Sequence, residues 1–216
     1  MADRIKLCYV TLDFDSKNYM TPAKLRGFLA HLFTNIPEFH HHSDQSYHYP
    51  LIQYKRIDKK LAIIGIKEFA EIIFQNISKL DHITTETQKI PLNSIEIKSD
   101  VYQLEQIHTK YKFTSPWLAL NEKNYTKFKK LKNNEKKPFL ERVLIGNILS
   151  MLKGFKIFIN YKIILSIIKF KIILVTVHKN KFAGLYAEFN VNILLPNHLG
   201  LGKSVTKGFG TIRIIS

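Results

Sequence analysis

Tyr49-Pro-Leu-Ile-Gln-Tyr-Lys-Arg-Ile-Asp-Lys-Lys-Leu-Ala-Ile-Ile-Gly-Ile66 reads as two strands, Tyr49–Ile57 and Lys60–Ile66, folded back at Asp58-Lys59. Upstream, residues 4–14 alternate as a strand. Ile5, Leu7 and Tyr9 share one face and Cys8, Val10, Leu12 and Phe14 the other, so both faces expect cover. Between them, Thr21-Pro22 offers an N-cap and a proline at the first helical position. Leu25, Phe28, Leu29, Leu32 and Phe33 follow at helical spacing, and Pro37 stops the pattern. Downstream of the hairpin, Phe69, Ile72, Ile73 and Ile77 predict a second amphipathic helix. Leu92–Leu104 returns to an extended pattern.

The order β-α-β-β-α-β is the split βαβ unit, the ferredoxin-like or RRM-like arrangement. Its helices are expected to cover one sheet face and leave the other open for a partner. The second half repeats the scheme less regularly. Lys110–Leu120 is extended, Asn121–Lys137 is a Lys/Asn-rich helix and loop, and Phe139–Leu152 is a strong helix capped by Gly154. A hairpin of Phe170–Val177 and Phe182–Leu195 and a short strand at Thr211–Ile215 complete it, with 157–168 ambiguous between helix and strand. The expected fold class is α+β, with tandem ferredoxin-like halves at residues 1–108 and 109–216.

The net charge of +16 is unevenly spread. Residues 1–120 carry 15 Lys+Arg against 13 acids, whereas residues 121–181 carry 15 against 3. Such concentration points to nucleic acid or a membrane surface more than to general solubility. Five lysines interrupt the apolar region Arg142–Val177, so it is not a membrane span, and the lysines lack an amphipathic helix for a membrane surface. One cysteine, Cys8, excludes an internal disulfide and a thiolate zinc site and fits a reducing cytoplasm. The N-terminus carries no signal-peptide pattern.

Three segments can carry chemistry. In Phe39-His-His-His-Ser-Asp-Gln-Ser-Tyr-His-Tyr-Pro50, an extended chain puts His40 and His42 on one side and His41 on the other. Two same-side imidazoles can take one proton and give another, as phosphodiester cleavage by a neighbouring 2′-hydroxyl demands. A metal site completed by Glu38 or Asp44, or an inert polar loop, fits the same residues. Near the C-terminus, Gly200, Gly202, Gly208 and Gly210 flank Lys203, Ser204 and Lys207. Glycines admit a phosphate to the backbone and lysines neutralise it, although a plain turn between two strands uses the same residues. A nucleotide P-loop is excluded, because Asn197 stands where its first glycine belongs and no helix can follow. The Lys123–Lys137 cluster is a candidate phosphate rail. Trp117, Tyr111 and Phe113 are candidates for base stacking, with strand core the favoured reading, and His31 reads as a packed or half-exposed helix residue rather than a catalyst.

Four blocks, Lys24–Phe28, the His40-x-His42 loop running into Tyr47–Lys55, Arg142–Met151 and Gly200–Thr211, resemble the CRISPR repeat-RNA processing endoribonucleases of the RAMP superfamily, in its paired-histidine branch. The resemblance implies tandem ferredoxin-like halves and cofactor-free, metal-independent cleavage leaving a 2′,3′-cyclic phosphate and a 5′-hydroxyl. By that resemblance His40 and His42 are the catalytic pair with Tyr47 in support. Lys24, Arg26, Gly200, Gly202, Lys203, Ser204, Lys207, Gly208 and Gly210 contact RNA. Repeat RNA is the implied partner, with effector-complex subunits and a second copy of the chain as further candidates. A non-catalytic RNA-binding subunit of the same fold is the rival reading.

Overall fold

The computed structural model describes residues 4–15, 20–36, 39, 48–85, 88–177 and 180–215. The chain divides into two compact units, Met1–Gln103 with Thr206–Gly208, and Leu104–Val205 with Phe209–Ser216.

In the first unit, β1 (Arg4–Asp13), α1 (Pro22–Leu32), β2 (Ile52–Ile57), β3 (Lys60–Ile66), α2 (Glu68–Ile77), β4 (His82–Thr84), β5 (Lys89–Pro91) and β6 (Ser94–Gln103) follow one another. The four-stranded antiparallel sheet has the order β2-β3-β1-β6, as a ferredoxin-like unit requires. Its local causes are those in the sequence. Thr21 Oγ1 accepts from the Lys24 amide at 3.2 Å, and Pro22 begins α1. Asp58 and Lys59, at φ 46° and 70°, both take the left-handed conformation of a two-residue hairpin. Cys8, Val10, Leu12, Ile52, Tyr54, Leu61 and Ile63 form the core with Leu25, Leu29, Ile73 and Ile77 of the helices.

Two expectations change here. The opposite sheet face is not open: Leu7, Gln53, Lys55, Ala62, Ile64 and Ile66 are all buried. The alternation of β1, apolar on both sides, already pointed that way. The small β4–β5 hairpin is additional to the expected elements.

The second unit runs β7 (Thr109–Phe113), α3 (Glu122–Lys130), α4 (Asn133–Gly154), β8 (Leu165–Val177), β9 (Asn180–Val191) and β10 (Ile212–Ile214). Its antiparallel sheet has the equivalent order β10-β7-β9-β8. No helix stands between β9 and β10; the glycine-rich segment takes that place, with one 3₁₀ turn at Val205–Lys207. The α4 helix begins ahead of Pro138, where Glu135 Oε2 accepts from the Lys132 amide at 2.8 Å. Gly154 is its last helical residue rather than a left-handed cap, and Lys156, at φ 58°, makes the turn. Residues 157–164 are irregular, and the strand starts at Leu165. Among the described residues no helix is long and apolar enough to cross a membrane.

Candidate nucleic-acid interface

The loop holding His40, His41, His42 and Tyr47, with Asp44, lies outside the described residues, as does Glu38. Its two attachments are described. Phe39 is fully buried, its ring 4.8 Å from that of Phe33, just beyond α1. Tyr49 is buried ahead of β2, where the Pro50 carbonyl accepts from Gln53 Nε2 at 3.0 Å. The chain therefore leaves and re-enters the first unit's core on either side of the histidines. Among the described residues no group of three or more His, Cys, Asp or Glu side chains is placed to hold a metal ion.

Close packing explains three of the four glycines. Gly202, Gly208 and Gly210 have φ of 92°, 91° and 65°, whereas Gly200 does not need a positive φ. A Cβ on Gly202 would lie 2.8 Å from the Trp117 ring, and one on Gly210 only 1.9 Å from the Leu201 carbonyl oxygen. Three amides of this region already have acceptors: Leu201 donates to Gly210 O, Lys203 to Leu118 O and Gly210 to Pro116 O. Those three cannot cradle a phosphate. What the segment offers a ligand is its side chains, with Lys203 exposed and Ser204 and Lys207 half-buried.

Thr206–Gly208 belong to the first unit, and there they meet α1. A Cβ on Gly208 would come within 2.8 Å of Pro22 Cγ, so only glycine lets the backbone approach this closely. Partial burial, and then the charge of Arg26, hold the Lys207 ammonium below its ordinary pKa. Arg26 also reaches Tyr54, opposing the rise in hydroxyl pKa that burial imposes. The Tyr54 hydroxyl is buried with no hydrogen-bond partner among the described residues. The charge of Arg26 is thus felt by both the Lys207 ammonium and the buried Tyr54 hydroxyl. The hydrophobic alternation of β2 assigns Tyr54 to the core and gave no sign of this coupling.

Lys24 does not join that group. Two residues turn a helix by roughly 200°, so Lys24 and Arg26 face nearly opposite ways. Lys24 instead lines a groove of about 900 Å³ with Gly27, Phe28 and His31 of α1 and Thr85 and Gln88 beside the β4–β5 hairpin. His31, expected to be packed or half-exposed, is exposed and lines this groove.

The aromatic candidates are core. Trp117 is fully buried, stacked on Phe113 with ring centroids 5.1 Å apart, and its Nε1 donates to Asn147 Oδ1 at 2.9 Å. Tyr111 is likewise buried, its hydroxyl donating to the Leu195 carbonyl at 3.0 Å. In the expected phosphate rail, Lys127 lies over the ring of Phe139 and Lys136 over that of Phe128, across the α3–α4 contact, while Lys129 lies over Tyr125 within α3. Lys55, fully buried on β2, is a titratable group to which the motifs gave no role; burial pulls its pKa down to about 7.

Comparison with known proteins accounts for both units. Residues 4–103 match the model of the Cas6b N-terminal domain and residues 103–215 that of the Cas6b C-terminal domain. A protein of Methanocaldococcus jannaschii is 39% identical over 140 residues, 65% of this chain and 95% of its own length. A crystal structure of Cas6b superposes with a TM-score of 0.89 at 30% identity, over 99% of this chain and all of that one. A second, described as the CRISPR RNA processing endoribonuclease Cas6b, gives 0.77 at 29% identity over the same shares. With both domains matched in order and a Cas6b structure superposing over nearly the whole chain, the protein belongs to the Cas6b family, within the Cas6/RAMP type that its motifs resemble.

Proposed function

We propose that the chain is a metal-independent endoribonuclease that cuts CRISPR repeat RNA in the cytoplasm and so matures guide RNA. One imidazole of the His40/His42 pair takes the proton from the ribose 2′-hydroxyl, whose oxygen attacks the adjacent phosphorus. The other protonates the departing 5′-oxygen, leaving a 2′,3′-cyclic phosphate and a 5′-hydroxyl. No water and no metal enters this step. Tyr47 supports the pair.

The observation that carries the reading is the close approach of Gly208 to Pro22 of α1, which sets Lys207 within the electrostatic reach of Arg26 on the helix that precedes the histidine loop in sequence. Neighbouring cations repel each other, and a polyanion is the ligand that relieves the repulsion. Lys203 and Ser204, on the same glycine-rich segment, are further RNA-contacting side chains of this reading. Gly200, Gly202, Gly208 and Gly210 shape the segment that carries these side chains, and Lys24 serves a separate stretch of RNA from the α1 groove. Effector-complex subunits and a second copy of the chain are further proposed partners.

The test uses repeat RNA from the protein's own locus, in chelator, with and without one deoxynucleotide 5′ of the scissile phosphate. Cutting of the all-ribose RNA, and binding without cutting of the substituted one, is the expected result. Cleavage that needs a divalent ion, or that proceeds on the deoxy substrate, would exclude this chemistry. Tight binding with no cleavage of either would leave an RNA-binding subunit.

A further inference from the structure

The sheet of the second unit has two unlike faces. Tyr111, Phe113, Leu185, Ala187 and Phe189 fill its core side. Residues directly opposite in an antiparallel pair share a face, and on the other face Arg213 pairs with Lys112, Lys112 with Glu188, and Glu188 with Lys169. That row crosses all four strands. Lys171 opposite Tyr186, and Lys110 opposite Asn190, stand in the flanking rows.

Glu188 is the carboxylate of this row. It binds Lys169 at 2.8 Å and Lys110 at 3.6 Å, and the Lys169 hydrogen bond holds its carboxyl below the usual range, so it stays charged. The five cations named on this face still outnumber it, and Lys112, Lys169, Lys171 and Arg213 are exposed. The Tyr186 ring is exposed as well, beside a depression of about 200 Å³ lined by Lys112, Lys169 and Lys171.

We propose that this face is a second RNA-binding surface, where Tyr186 stacks a base of an unpaired segment and Lys112, Lys171 and Arg213 neutralise the flanking phosphates. The inference rests on RNA being the substrate. It concerns binding alone, since these rows hold no pair of proton-transfer groups. An accessible ring among cations is how single strands are held without sequence readout. A protein partner fits less well, because the core of a protein interface is depleted of lysine. The cations come from β7, β8 and β10, on either side of the strand that carries Tyr186, so phosphates flanking a stacked base would meet positive charge on both sides.

The experiment measures binding of labelled repeat RNA to the full chain over salt from about 50 to about 200 mM, alongside thermal melting. Lys112→Ala/Lys171→Ala/Arg213→Ala should lose at least ~10-fold in affinity, with a salt slope shallower by about 2, three contacts at roughly 0.7 each. Tyr186→Ala should weaken binding roughly 5- to 100-fold while Tyr186→Phe keeps it. Ultraviolet crosslinking of wild-type protein, which depends on no variant folding, should join RNA to the peptide containing Tyr186. Wild-type affinity and slope in the triple variant, or crosslinks confined to the Lys207 peptide, would overturn this surface while leaving the nuclease reading intact. A wild-type protein that neither binds nor cuts repeat RNA would overturn both.

Discussion

The guanidinium charge of Arg26, on the first helix, is felt by Lys207 near the other end of the chain, and adds to partial burial in lowering the lysine pKa. A lysine whose folded pKa lies below its unfolded value weakens the fold wherever the unfolded side chain is protonated, which includes neutral pH. That cost is relieved only as pH rises through the lowered pKa. Arrangements that cost stability without ligand are common at binding sites.

Arg26→Gln and Lys207→Ala should therefore separate binding from stability. Each should weaken repeat-RNA binding and flatten its salt dependence by about 0.7. Neither should lower the melting temperature at neutral pH, because each removes one of two neighbouring like charges. Wild-type RNA affinity at every salt concentration would remove the pair from the interface.

The glycines make a sharper structural test. Gly210→Ala places a Cβ against the Leu201 carbonyl at a φ that L-residues rarely adopt, so it should cost at least about 2 kcal/mol of folding stability in urea melts. Gly146 sits exposed inside α4 with nothing within 4 Å of an added Cβ, and Gly146→Ala should stabilise by roughly 0.5–1 kcal/mol. Equal effects of the two would mean that close approach is not why Gly210 is glycine.

These glycines also mark where a sequence stops being informative. Asp58-Lys59 and Thr21-Pro22 specify local geometry through their own backbone and side chains, so hairpin and helix start are legible. A GxG pair is needed equally by an anion cradle and by two backbones packed closely; only the acceptors of the Leu201, Lys203 and Gly210 amides decide between them. Lys24 and Arg26 read as one basic patch until helical rotation parts them. The strands of β4–β5 are three residues each, too short for a periodic pattern. The apolar pattern starts the α4 helix at Phe139, but the Glu135 cap sets that start earlier. The catalytic assignment came from the resemblance, since geometry alone leaves proton transfer, metal binding and inertness open for a histidine-rich loop.

The single tryptophan reports on the core. Asn147→Ala should cost roughly 1–3 kcal/mol, by leaving the buried Trp117 Nε1 donor without its acceptor. Saturating RNA should not quench Trp117 emission in the wild-type protein, because the ring is fully buried against Phe113. Strong quenching would return the tryptophan to the list of base-stacking residues.

Lys55 predicts a pH dependence of stability. Burial lowers its folded pKa to about 7, so between there and its unfolded value the unfolded chain binds the extra proton. Stability contributed by this group should rise with pH through that window, by at most about 1.4 kcal/mol per pH unit. Lys55→Met, compared with wild type in melts at a series of pH values, should remove this part of the slope and gain most in relative stability at the acidic end. Parallel pH profiles for the two proteins would show that Lys55 is neutral, or charged, throughout.

The histidine pair carries the enzyme claim. Removing either His40 or His42 should slow single-turnover cleavage by roughly 10²-fold or more, the usual contribution of one general acid or base. RNA affinity should change far less than the rate, because the proposed phosphate contacts lie on the lysines and arginines rather than on the histidine pair. The wild-type rate should follow a bell-shaped pH profile, since one imidazole must be neutral while the other is protonated, and its two limbs belong to the pair jointly. Each single alanine variant should lose one limb, a change that a merely structural histidine would not produce. His41→Ala should cut at close to the wild-type rate, because an extended chain turns that ring to the other side. A loss confined to His41→Ala would mean that a tight turn brings it into the pair in place of a neighbour. Wild-type rates in both His40→Ala and His42→Ala would move the active site out of this loop altogether.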